Sequence, residues 1–472
     1  MAGMALLFFG AIYLGIGLAF WPTRVSPNHQ PATMFYLLFL LTVLTWLFPG
    51  VAFFLDRTRL PVFATLLALS LLTGFFRTDH CYKVRDAGSR DKNKLGPTDV
   101  VSDWENGKRG VKNGPVVVVA TAGGGIRAAA WTAEVMTQLQ SGCERVSSRL
   151  LLVSSVSGGS VGSMLVVQPY DEQGNYTRDL SSVRENAVRS SLSAVGWGMA
   201  YPDLARTAPF AGVLVPQTLD RGWSLENAWT WRRQGKETPT MRQWRTDVVN
   251  GTRPAVIFNA TVSENGNRFL ISSTDTTSAG TKRFFELYPT ADIDVATAAR
   301  LSATFPYVTP LARASNQPAS TGFHIGDGGY YDNSGLLSVV EWLQEAAPKL
   351  EHHEVVLILI DAKPGSEAAG QAWSWQRQLV GPMATLLNVR TSSQQLRDSI
   401  ELEIAKSYLG NLNVKIKPAP FLFASDVATP LSWHLTPSQI EEVHNSWWYG
   451  KNPESRDMVY GALGCATNAK QD

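Results

Sequence analysis

The sequence is poor in charge, poor in cysteine and without any basic excess. Asp, Glu, Lys and Arg make up 17% of the 472 residues, against about a quarter in ordinary soluble domains. The deficit is concentrated in the first 76 residues, so the chain reads as two unlike parts. The three cysteines, Cys81, Cys143 and Cys465, form no CxxC pair and are odd in number. That excludes a zinc ribbon and argues against a disulfide scaffold, leaving three ordinary thiols suited to a reducing compartment. The 42 basic and 40 acidic residues give a net charge of +2. A nucleic-acid binder needs a basic stripe, so no nucleic-acid partner is expected. There is no internal repeat, no low-complexity tract and no GxxxxGK[ST] phosphate loop.

What the N-terminal part does have is apolar length. Residues 2–20 and 34–55 are uncharged apolar runs, and residues 60–76 form a shorter third. A membrane-spanning helix needs about 20 apolar residues, with roughly 17 as the lower limit. The first two runs are therefore expected to span a bilayer, and the third to span upright or re-enter. Only Asp56, Arg57, Thr58 and Arg59 separate the second from the third, which suits a tight helical hairpin. Without a basic start or a small-x-small site before Trp21, the first run reads as a retained helix and not as a cleaved leader. With three spans, Arg57 and Arg59 lie on one side of the membrane. Arg24, Arg77, Lys83, Arg85, Arg90, Lys92 and Lys94 lie on the other. The richer side is taken as cytoplasmic, and the large C-terminal part with it.

Residues 1–78 thus form a transmembrane region of two to three helices, 79–114 a polar juxtamembrane connector, and 115–472 the main domain. In that domain, short β-branched runs at 116–120, 150–156, 256–262, 269–273 and 355–361 alternate with helical stretches. The expected fold class is α/β, a mostly parallel central sheet covered by helices on both faces. Strand signals thin out over 170–253, where Trp197, Trp223, Trp229, Trp231 and Trp244 occur. This segment reads as an insertion capping the sheet, with its aromatics packed inside it or resting on a bilayer.

Three short constellations carry chemistry. Gly123, Gly124 and Gly125, followed by Ile126 and Arg127, lie between a strand and a helix. Such a turn points N–H groups and a helix N-terminus at an anion, a phosphate or an oxyanion. Ser155-Val156-Ser157-Gly158-Gly159-Ser160 also sits where a strand meets a helix. A nucleophilic serine needs small neighbours there so that its Oγ projects, and Ser157 has them. The literal G-x-S-x-G string centres instead on Ser160, which falls about one turn into the helix. Gly326-Asp327-Gly328-Gly329 offers a carboxylate that other groups can approach closely. A Ser-His-Asp triad stays open in principle. His324 lies near the Asp327 loop, but none of the seven histidines has a supporting motif, and His352 and His353 read as solvent-facing.

In this order the three motifs resemble the patatin-like phospholipase family. Gly123-Gly124-Gly125-Ile126-Arg127 is similar to its oxyanion loop, Ser157 with its neighbours to its nucleophile elbow, and Asp327-Gly328-Gly329 to its Asp-Gly-Gly motif. Arg300-Leu301-Ser302-Ala303-Thr304-Phe305-Pro306 resembles the segment that precedes the aspartate. The likeness covers about 116–361. Ser155 stands where plant patatins have glycine, and Arg127-Ala128 where they have Arg-Gly; both forms are closer to cytosolic phospholipases and lysophospholipases. The resemblance implies a lipid acyl hydrolase acting on (lyso)phospholipids with a Ser157–Asp327 dyad and no catalytic histidine; the membrane anchor is expected from the apolar runs, which lie outside the family's core. It implies oxyanion donors at Gly123, Gly124 and Gly125, and a phosphate contact at Arg127. The chemistry needs no metal or cofactor, and its partners are a lipid substrate and the bilayer. An acyltransferase or neutral-lipid lipase with the same dyad, and an inactive lipid-binding scaffold, are the alternatives.

Overall fold

The computed structural model describes residues 2–55, 59, 61–77, 79–88, 94–111, 113–207, 214–231, 238–278, 280–305, 308–316, 322–362, 397–424 and 433–466. Asp56, Arg57 and Thr58 of the expected hairpin link, Arg90 and Lys92 of the connector, and Pro306 lie outside them. The chain divides into two units. One comprises Met1–Val84, Arg189–Thr238 and Thr304–His324; the other comprises Arg85–Val188, Pro239–Ala303 and Ile325–Asp472.

In the first unit, α1 (Ala2–Ala19), α2 (Thr33–Leu55) and α3 (Val62–Arg77) correspond to the three apolar runs. Among the described residues, α2 is the one helix long and apolar enough to cross a membrane; Leu7–Ala19 and Val62–Leu72 are shorter apolar stretches. Of the two to three spans expected from the sequence, length and composition among the described residues support one. Leu7, Leu14, Leu41, Phe53, Phe63 and Leu71 stand exposed on these helices. A soluble helix would bury such a face.

The tryptophan-rich insertion behaves differently from the single cap expected over 170–253. Its middle, 189–238, belongs with the N-terminal helices, while the helix Met241–Val249 with Trp244 belongs to the second unit. The cause is aromatic packing. Trp197 and Trp223 meet Trp21 edge-on, with ring centroids 5.0 and 6.1 Å apart. Trp197 donates its indole N–H to the Gly17 carbonyl at 3.0 Å, and Thr33 Oγ1 donates to the Leu192 carbonyl at 2.8 Å. Trp197, Tyr36 and Ala200 form the buried core of this cluster. Trp197 and Trp223 thus pack with Trp21 of the N-terminal segment.

The second unit is built on an eight-stranded sheet: β1 (Val116–Thr121), β2 (Leu150–Val156), β3 (Ala255–Val262), β4 (Arg268–Ser272), β5 (Lys282–Arg283), β6 (Ile325–Asp327), β7 (Glu354–Asp361) and β8 (Lys415–Leu422). The order is β8-β7-β1-β2-β3-β4-β5, with β6 also paired to β3. The five strands from β8 to β3 run parallel, while β4 and β6 run antiparallel to β3. The sheet is therefore mixed, with a parallel centre. Val118 of β1, Leu152 of β2, Ile257 of β3 and Leu357 of β7 pack with Val339 and Trp342 of the helix Leu336–Leu350 and with Trp104. The alternate residues Val117, Val119 and Val153 are equally buried. Side chains alternate across a strand, so both faces are covered, which is why these strands read as unbroken apolar runs. Each such buried side chain contributes about 1.5–3 kcal/mol. At the β8 edge, Pro418 and Pro420 lack N–H donors and discourage further strand pairing.

Cys143 and Cys465 are joined in a disulfide, with Cα atoms 5.8 Å apart. The bond ties the end of the helix Gly125–Gly142 to the residues after the helix Asn452–Leu463. This corrects the expectation of three ordinary thiols; Cys81 alone remains a free, buried thiol.

Candidate active site

Strand β2 ends at Val156, and the helix Gly158–Val167 starts two residues later. Ser157 makes the whole turn, with φ 52° and ψ −127°. A side-chain-bearing residue rarely adopts this conformation, which costs on the order of 1–3 kcal/mol. The turn survives because its neighbour carries no side chain. A Cβ on Gly158 would lie 1.8 Å from the Gly125 carbonyl oxygen. The elbow and the glycine loop are thus packed backbone against backbone.

Register brings the carboxylate to this turn. Along β3, Val156 of β2 lies opposite Asn259, and Asp327 of β6 lies opposite the next residue, Ala260. The other edge of β3 is occupied there by Phe269 of β4. β6 therefore continues the ladder on the β2 side, and Asp327 falls beside the residue after Val156. Ser157 Oγ donates to Asp327 Oδ2 at 2.7 Å. Asp327 Oδ1 accepts the Gly329 N–H at 2.8 Å, which fixes the carboxylate plane. Ser157 and Asp327 are 6% and 8% exposed, so this hydrogen bond lies in a poorly hydrated setting.

Gly124 and Gly125 have φ of 159° and 59°. Among the described residues, their N–H groups meet no protein acceptor, and Gly125 opens the helix Gly125–Gly142. Gly123 departs from expectation: its N–H donates to the Asn333 carbonyl at 2.9 Å. That group is therefore engaged with the protein, where the sequence expectation has it facing an anion. Arg127 is buried, with its guanidinium 5.6 Å from the centre of the Phe423 ring. Burial holds its pKa below the ordinary range, and the nearby Asp361 opposes that shift.

Ser160 is fully buried in the helix, with its Oγ 3.1 Å from Ser155 Oγ and 2.8 Å from Ser302 Oγ. Among the described residues, His80, His324, His353 and His444 lie against other carboxylates. His324 Nε2 lies 2.7 Å from Asp79, and His444 Nδ1 lies 2.8 Å from Glu134. His353, expected at the surface, is buried between Glu105, at 2.9 Å, and the Gly114 carbonyl, at 2.8 Å. Sequence reasoning missed Asn259, Asn333 and the individual part of Ser302. Asn259 Nδ2 donates to Ser154 Oγ and to the Ser155 carbonyl, both at 3.0 Å, beneath the elbow. Only Ser302 left a signal, as a member of the Arg300–Pro306 segment.

Residues 119–340, from within β1 into the helix Leu336–Leu350, match the family model described as patatin-like phospholipase. That stretch is similar to a patatin-like phospholipase domain. This domain marks the chain as an enzyme of the lipid-hydrolase class. No curated protein matches the sequence. Among solved structures, VipD from Legionella pneumophila is 13% identical, with a TM-score of 0.34, covering 75% of this chain and 67% of its own. The human GIVD cytosolic phospholipase A2 in complex with methyl gamma-linolenyl fluorophosphonate and terbium chloride is 12% identical, with a TM-score of 0.41, covering 78% and 62%. The chain thus spans about two thirds or less of these structures, and likeness at this level carries no argument of its own.

Proposed function

We propose that this chain is a membrane-anchored serine acyl hydrolase that releases fatty acids from phospholipids or lysophospholipids through a Ser157–Asp327 dyad. The observation that carries the reading is the 2.7 Å hydrogen bond from Ser157 Oγ to Asp327 Oδ2 at a strained strand-to-helix turn. Asp327 takes the hydroxyl proton as Ser157 Oγ attacks the ester carbonyl. The Gly124 and Gly125 N–H groups receive the developing oxyanion, a contribution often worth about 3 kcal/mol per donor. The tetrahedral species collapses, the alcohol leaves with the proton, and the acyl group stays on Ser157. Water, deprotonated by the same carboxylate, then frees the fatty acid. Arg127 serves as the contact for a lipid phosphate.

The anchor reading is supported by the exposed apolar faces of α1–α3 and the length of α2. A tether raises the effective concentration of a substrate that lies in the bilayer. The Cys143–Cys465 bond favours an oxidising side of the membrane for the sheet-bearing unit. This runs against the cytoplasmic side suggested by the basic residues.

The test is fatty-acid release from mixed phospholipid vesicles by detergent-purified protein. Wild type and Ser160→Ala are expected to release fatty acid, and Ser157→Ala and Asp327→Ala are not. Equal release by all four proteins would remove the dyad.

A further inference from the structure

We infer that Ser302 is a positioning residue for the nucleophile, holding the elbow by joining the Ser157 N–H to the Asn259 carbonyl. The inference rests on Ser157 being the nucleophile. Ser302 closes the helix Val295–Ser302 and is fully buried. Its Oγ accepts the Ser157 N–H at 3.1 Å and donates to the Asn259 carbonyl oxygen. A hydroxyl has one proton and two lone pairs, so it can hold both bonds at once.

The Asn259 carbonyl is also the floor of the aspartate loop. A Cβ on Gly328 would lie 2.0 Å from that oxygen, so the loop rests directly on it. Asn259 faces Val156 in the sheet, and its neighbour Ala260 faces Asp327. One peptide of β3 therefore supports the carboxylate through backbone contact and the serine through the Ser302 hydroxyl. The two reacting groups come from residues 170 positions apart. Their 2.7 Å approach depends on both supports having the same origin.

The Ser302 bond has a second consequence. It restrains the N–H of Ser157, whose φ is 52°, while the Ser157 carbonyl accepts the Ser160 N–H at 2.9 Å. Without the hydroxyl, the Ser157 N–H is a buried donor with no acceptor, which is unfavourable. The turn then relaxes toward a common backbone conformation, carrying Oγ away from Asp327. A misplacement of about 1 Å at a reacting atom can cost on the order of a hundredfold in rate. The residue acts on the alignment of Ser157 and not on substrate binding, so its loss is expected in the rate of the chemical step and not in half-saturation.

The experiment uses full-length, detergent-purified protein and a fluorophosphonate reporter, which reports the reactivity of the serine without any choice of lipid. The limiting rate of labelling, the half-saturating reporter concentration and thermal unfolding are measured for wild type, Ser302→Ala and Ser302→Cys. For Ser302→Ala the limiting rate is expected to fall about ten- to a hundredfold, with unchanged half-saturation. Ser302→Cys, which keeps the volume and a weak acceptor, is expected to fall between the other two. If Ser302→Ala unfolds, the Ser302→Cys rate decides alone. A wild-type limiting rate in any folded Ser302 variant overturns the inference. If wild type carries no label at Ser157, the nucleophile reading itself fails. That outcome is recognised before any Ser302 variant is compared.

Discussion

At the scale of single residues, what separates Ser157 from Ser160 is backbone conformation. Both serines lie among small neighbours, and the G-x-S-x-G string centres on the second. Ser157 takes the strained turn and points Oγ at a carboxylate, whereas Ser160 is turned into a buried cluster of hydroxyls. Arg127 raises a different question, because it is buried and stacked near Phe423. A guanidinium kept at low exposure is worth its desolvation only if a charge answers it. Asp361 supplies part of that answer. On the proposed reading, Arg127→Ala lowers turnover of phospholipids more than turnover of uncharged esters of the same chain length. Parallel kinetics on the two substrate classes check this, and equal losses would remove the phosphate contact. The small residues around Ser157 and the glycines around Asp327 were legible in the sequence, because close approach demands them. The involvement of the Gly123 N–H with Asn333 was not, since nothing local marks a carbonyl that is 210 residues away.

At the scale of elements, register does what no motif could announce. The two strands that end at the reacting groups never pair with each other. Both pair with β3, in adjacent stretches of its edge. The parallel order of the central strands was foreseeable from their apolar runs, but the antiparallel return of β6 was not, because it is three residues long. The first unit is held by polar elements as well as by aromatics. The segments Cys81–Tyr82 and Arg313–Ala314 pair in parallel, and Asp79 beside them contacts both Arg313 and His324. Burial tends to raise the Asp79 pKa, but hydrogen bonds from His324 and Arg313 prevail and hold it below the ordinary carboxyl range. A carboxylate with a lowered folded-state pKa contributes stability above its unfolded value. That contribution is lost as the pH falls through the lowered value. Asp79→Asn is therefore expected to reduce the thermal stability of the protein at neutral pH and to lose this effect in acid. Unfolding scans at both pH values measure it; a pH-independent difference would mean that the ion pair contributes nothing.

At the scale of the whole chain, an apolar N-terminal region accompanies a catalytic domain on the same polypeptide. The two-part composition announced this much. The tryptophans of the insertion gave no sign that they would pack with the N-terminal helices, because aromatic clusters form between segments far apart in sequence. The disulfide was equally hidden, its cysteines being 322 positions apart. Bonds of this kind contribute about 2–4 kcal/mol. Cys143→Ser is expected to lower the unfolding temperature, and the native protein should resist thiol alkylation at Cys143 and Cys465 until reduced. Full alkylation of both in freshly isolated, unreduced membranes would instead indicate a reducing compartment. The central claim concerns covalent chemistry at one atom, and trapping tests it most directly. Brief mixing of the purified enzyme with a lysophospholipid, an acid quench and peptide mass analysis should find the acyl group on Ser157, with none in Asp327→Ala. An acyl group on Ser160 or on any other residue, or acyl accumulation unaffected by loss of Asp327, would contradict the account.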